Sequence, residues 1–186
     1  MQIHKRLRLA SLLLWLSLCG PALADQADWV LVETETRTLT VLSGENKTLD
    51  RFDNISVGRG GAASLHYRGD DTTPRGDYRI VSIRPSRRFG TFFALDYPTP
   101  DHAGQAADAD RLDPDSFDAI VEAWLARRLP PQDTVLGGAI GIHGVGRGDP
   151  AIHRSFDWTD GCVALSNAQL HRFARWVRVG MRVVIR

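Results

Sequence analysis

The sequence predicts a mainly β, sandwich-like domain with two peripheral α-helices. Three observations lead there: short β-branched runs between turn residues fill the first half, only two segments carry helical periodicity, and the chain closes on an apolar run. Trp29 to Thr34 and Arg37 to Leu42 read as strands joined by a hairpin at Glu35-Thr36. Asn54 to Val57 and Asp77 to Ile83 are further strands, separated by the turn-rich loop GDDTTPRG at 69–76; Thr91 to Leu95 is another. After Asp113-Pro114, apolar residues at Phe117, Ile120, Val121, Trp124 and Leu125 give helical spacing, and Pro130-Pro131 ends that helix. Ala139 to Ile142 is a short strand running into His143. Ser166-x-x-Gln169 is a capping box opening a second helix with Leu170, Phe173, Ala174 and Val177, and Met181 to Ile185 closes as a strand.

The first 24 residues carry a different signal. Lys5, Arg6 and Arg8 precede an apolar core from Leu9 to Leu18, then Pro21 and Ala22-Leu23-Ala24, the layout of a secretory signal peptide with cleavage after Ala24. The expected organisation is a leader at 1–24 and one domain at 25–186, exported to the periplasm and held by no membrane anchor. Cleavage leaves 20 basic against 22 acidic residues, a net charge of −2, which gives no bulk attraction to nucleic acid. Cys19 leaves with the leader, so Cys162 becomes an unpaired thiol in an oxidising compartment: intermolecular, buried or reactive.

Cys162 lies in DWTDGCVALSN, residues 157–167. A free thiol is only about 3% ionised at pH 7, and lowering its pKa by two units would make that roughly three quarters. A neighbouring imidazole can do this, and the helix N-terminus expected after Ser166 would favour negative charge nearby. Gly161 permits a tight turn. His143, at a strand end before Gly144, is the candidate base. The loop GVGRG at 144–148 meets Pro150 rather than a helix, which argues against a phosphate cradle, and His66, His102, His153 and His171 show no metal-ligand spacing.

Taken together, IGIHG at 140–144, DWTDGCVALSN, the segment GDDTTPRGDYRI and the closing WVRVGMRVVI resemble the L,D-transpeptidase catalytic domain, the YkuD family, in its ErfK/YafK-like branch. The resemblance implies a nucleophile at Cys162, a base at His143 oriented by the carbonyl of Gly144, and an oxyanion hole from the N–H groups of Gly161 and Cys162. It implies acyl transfer without cofactor or metal, on peptidoglycan stem peptides: a thioester at diaminopimelate, release of D-alanine, and transfer to an amine. It also points to Trp158, Thr159, Asp160, Asp70, Thr73 and Tyr97 as substrate-binding, with packing as the alternative for Tyr97 and a plain turn for the loop at 69–76.

The chain departs from the family pattern twice: Asp160 stands in place of a His and Ala164 in place of an Arg. An acid beside the nucleophile raises a thiol pKa unless a cation pairs with it, and Arg147 and Arg154 are the expected cations. The competing readings are a hydrolase of the same bond class (an L,D-carboxypeptidase, or an amidase releasing a peptidoglycan-linked lipoprotein) and a non-catalytic wall-binding module.

Overall fold

The structure, a computed structural model, describes residues 27–186, so the expected leader lies outside the described residues. The strands β1 (Trp29–Glu33) and β2 (Thr38–Leu42) form the expected hairpin, with Val30 opposite Val41 and Val32 opposite Leu39. β3 (Thr48–Asp53) adds to β2. The sequence places a strand at 54–57 instead; Asn54, at φ 57°, breaks β3, and the next residues make only isolated bridges, Ser56 to Ala164 and Gly58 to Thr159. β4 (Ala62–Ala63) and β5 (Thr73–Pro74) form a small parallel pair.

β6 (Gly76–Ser86) changes partner along its length. Gly76 to Arg79 pair with the last strand, and Ile80 to Ser86 pair with β7 (Gly90–Leu95). Pro85 falls in the second stretch, where the other edge of β6 has no neighbour and needs no N–H donor.

Among the described residues four helices are present rather than two. α1 (Pro100–Asp108) has Thr99 as N-cap in a capping box with His102. Its inward side is carried by His102, Ala103 and Ala106, a pattern with no large apolar residue to signal a helix. α2 (Pro114–Leu125) starts where Asp113 accepts from the Ser116 N–H at 2.8 Å, and stops well short of Pro130 because Arg127 takes φ 53°. Of its apolar stripe Ile120 is buried, whereas Trp124 and Leu125 are exposed. β8 (Gly141–Gly144) is followed by α3 (Pro150–Ser155). Pro150 thus begins a helix rather than preventing one: at the first position its missing N–H is no loss, and Asp149 caps Ala151 N–H at 2.7 Å.

β9 (Val163–Leu165) leads into α4 (Asn167–Phe173), whose Ser166/Gln169 capping box is formed. β10 (Arg182–Ile185) inserts parallel to β1 and antiparallel to β6. The result is one mixed eight-stranded sheet, ordered β3-β2-β1-β10-β6-β7-β8-β9. Phe173 of α4 meets Phe52 of β3 edge-on at 5.9 Å and Phe93 of β7 at 5.2 Å, joining the edge strand β3 to β7 through the core. Phe173→Ala is expected to destabilise the fold by about 3–5 kcal/mol in urea denaturation, since the side chain is fully buried.

Candidate active site

The parallel pairing of β8 with β9 sets Ile142 beside Val163 and His143 beside Ala164. Ile142 and Val163 are buried in the core. By alternation His143 and Ala164 face the other way, and so does Cys162, two residues before Ala164. His143 and Cys162 both line a cleft of about 470 Å³, with Arg59, Arg84, Arg88 and Trp158 on its walls.

The turn before Cys162 is tied internally. Gly161 has φ +130°, and a Cβ there would lie 2.7 Å from the Thr72 carbonyl oxygen, so the position requires glycine. Thr159 is buried; its hydroxyl donates to the Cys162 carbonyl at 2.6 Å and accepts from the Gly161 N–H at 3.2 Å. The Thr159 hydroxyl is thus engaged in shaping the turn. The Gly161 N–H expected in an oxyanion hole is engaged by that hydroxyl, whereas the Cys162 N–H has no acceptor among the described residues.

Three other expected substrate contacts stand outside the cleft. Tyr97 is buried, its hydroxyl placed 2.9 Å from the His66 carbonyl and 3.0 Å from that of Leu136. Thr73 is buried and accepts from the Gly58 N–H at 2.8 Å. Asp70 accepts from the Tyr67 and Thr72 N–H groups and lies 2.7 Å from His66 Nδ1, bracing the loop whose Thr72 carbonyl backs Gly161. Of the six, Trp158, Thr159 and Asp160 border the cleft.

His143 Nδ1 lies 2.8 Å from the Gly144 carbonyl oxygen. A carbonyl only accepts, so the proton sits on Nδ1 and the Nε2 lone pair is left open. The ring is held by aromatic contacts: Phe89 stacked at 4.0 Å, Phe92 at 6.0 Å, and Trp158 edge-on at 5.7 Å. Trp158 is itself fixed by its indole N–H, which donates to His153 Nδ1 at 3.2 Å. A further clamp comes from Asn167, whose amide pairs with both backbone groups of Gly146 at 2.8 Å, steadying the loop that follows His143.

Burial pushes the His143 imidazole down to about 4, with the Gly144 carbonyl opposing and Arg88 and His153 adding to the fall. Burial likewise pushes the Cys162 thiol up to about 12, partly offset by the Gly141 N–H and reinforced by the Asp160 carboxylate. This overturns the expectation of a lowered thiol pKa. The pair rests as thiol and neutral imidazole, with Sγ donating to the Ala139 carbonyl at 3.2 Å. The helix N-terminus expected to help lies at the far end of β9, beyond three strand residues, and its first turn is capped by Ser166.

A family model for the L,D-transpeptidase catalytic domain, YkuD, matches residues 27–185. The chain belongs to the YkuD family. Among solved structures it is similar to the helical cell shape determining protein Pgp2 from Campylobacter jejuni, at 21% identity and TM-score 0.60, covering 87% of this chain and 48% of that one. It is also similar to Bd1075 from Bdellovibrio bacteriovorus, at 17% identity and TM-score 0.55, covering 88% and 49%. An L,D-transpeptidase from Enterococcus faecium matches at 10% identity and TM-score 0.50, covering 87% and 50%. These likenesses show the fold, and the chain spans about half the length of each of these structures. No curated protein matches the chain by sequence.

Within the YkuD frame, the cation that meets Asp160 is Arg59, not Arg147 or Arg154. Arg59 pairs with Asp160 and, at 2.8 Å, with Asp71. It arrives through the bridge of Gly58 to Thr159. Arg147 turns away to the Arg87 carbonyl at 3.2 Å. Among the described residues no cluster of three His, Cys, Asp or Glu side chains could hold a metal ion, and no helix is long and apolar enough to cross a membrane.

Asp160→Asn removes a carboxylate that raises the thiol pKa, so alkylation of Cys162 by iodoacetamide at pH 8 is expected to speed up. Arg59→Gln leaves that carboxylate uncompensated and is expected to slow it, each unit of thiol pKa being worth about tenfold in thiolate at fixed pH.

Proposed function

We propose that this protein is an exported cysteine acyltransferase that works on peptidoglycan stem peptides outside the cytoplasmic membrane. One observation carries the reading: a cysteine and a histidine whose tautomer leaves Nε2 open share one face of two parallel strands and one cleft. In the proposed reaction Cys162 Sγ attacks the carbonyl of the L-centre of diaminopimelate as its proton passes to His143 Nε2. The amide C–N bond breaks and D-alanine leaves with that proton. An acceptor amine then attacks the thioester, its proton moving through Nε2 back to the thiol. The free Cys162 N–H is the oxyanion donor nearest the nucleophile.

The resting protonation states give this scheme a particular form. No standing ion pair exists; the thiol is deprotonated only as the carbon–sulfur bond forms, so the base must be neutral beforehand. A second cleft of about 590 Å³ shares Arg88, Phe89 and Trp158 with the first, and this room for another chain favours an amine acceptor over water. The hydrolytic alternative uses the same thioester with water as acceptor. The likeness to a protein that determines helical cell shape fits a role in remodelling the wall.

Mass spectrometry of tetrapeptide muropeptides incubated with the protein, beside Cys162→Ala, tests the reading. Cross-linked dimers lacking one D-alanine are expected; tripeptide monomers alone would establish the carboxypeptidase. No change, with lipoprotein-linked muropeptides also untouched, would leave the wall-binding module. Because His143 must be neutral, kcat/KM is expected to hold down to mildly acidic pH and fall only near pH 4.

A further inference from the structure

The strand registers place four residues in one row across the sheet. Arg84 of β6 pairs with Phe92 of β7, Phe92 with His143 of β8, and His143 with Ala164 of β9. The guanidinium expected from the family pattern is missing at the Ala164 end of this row, and one is present at the Arg84 end. Its Cζ lies 4.7 Å from the Phe92 ring centroid. Arg88 lies likewise over Phe89, at 4.8 Å, and both phenyl rings stack on the His143 imidazole. The catalytic ring is therefore flanked by two phenyl groups, each carrying an arginine.

The charges in the cleft do not balance. With thiol and imidazole neutral, it is lined by Arg59, Arg84 and Arg88 against the single carboxylate of Asp160, which Arg59 already engages. Arg84 and Arg88 have no ion-pair partner among the described residues and are exposed. Both guanidiniums stand on the cleft wall with no carboxylate of the described residues engaging them, so an incoming anion can be gripped there. A guanidinium stacked on a ring keeps its N–H edge free and already oriented, the arrangement suited to a bidentate grip on a carboxylate.

We propose that Arg84 and Arg88 are specificity-determining residues that bind carboxylates of the peptide flanking the scissile amide, so that the cleft selects free-acid stem peptides over their carboxamides. The inference rests on the peptide substrate proposed above and adds which of its groups are recognised and by what. Along this cross-strand row the guanidinium stands on β6, at Arg84, and not on β9, where Ala164 is found.

The test is isothermal titration calorimetry on the full chain carrying Cys162→Ala, which cannot turn over. The probes are a diaminopimelate tetrapeptide with free carboxylates and the same peptide with them converted to carboxamides. The free acid is expected to bind roughly tenfold or more tightly. Adding Arg84→Gln or Arg88→Gln should reduce that preference, and a thermal melt matching that of the Cys162→Ala parent reports that the variants are folded. Equal affinity for the two peptides, a preference that survives in both variants, or no binding of either peptide would overturn the proposal. Intact-protein mass spectrometry of the wild type separates this from the catalytic reading. Equal acylation by both peptides, with equal affinities, removes carboxylate selection and leaves the enzyme. Selective binding without any acyl-enzyme supports carboxylate recognition and removes the proposed chemistry.

Discussion

The site depends on one constraint, the parallel register of β8 against β9. That register sends Ile142 and Val163 into the core and turns His143 and Cys162 out into the cleft. A slip of one residue in either strand would reverse the arrangement, burying the polar groups and exposing the apolar ones. Both strands are short, so the register is held from outside: Ala164 bridges to Ser56, Phe173 anchors the helix after β9, and Asn167 fastens the loop after β8. The protein secures a two-strand contact by tying each strand to a different part of the fold.

Immediately around the imidazole the protein places aromatic rings, while the charged groups stand at the cleft wall. Phe89, Phe92 and Trp158 enclose the imidazole, and the nucleophile turn closes on itself through Thr159. Desolvation disfavours both charged forms, raising the thiol pKa and lowering that of the imidazole. The reaction proposed above would then proceed by proton transfer coupled to attack on an electrophile.

Local signals in the sequence were legible and distant ones were not. The capping box at Ser166 and Gln169 and the Asp113-Pro114 helix start are written in adjacent residues and were read correctly. The end of α2 depends on the left-handed turn at Arg127, and α1 buries only alanines and a histidine, so neither announces itself by periodicity. The fold class and family were readable because the segments around His143 and Cys162 occur in the family's order. The cation facing Asp160 was not readable: Arg59 is 101 residues away and arrives through one isolated bridge. Tyr97 and Thr73 look like binding groups in sequence because they are polar, but their hydroxyls are consumed by buried backbone groups.

The raised thiol pKa bears on how a lone cysteine survives where the proposed export would take it. Oxidation and disulfide exchange proceed through the thiolate, and a thiol whose pKa is pushed up by burial offers very little of it near pH 7. A permanently activated cysteine would be capped by the first oxidised small thiol to reach it. Kept protonated in a cleft walled by aromatic rings, Cys162 would be shielded from such capping while remaining available to the acyl donor proposed above.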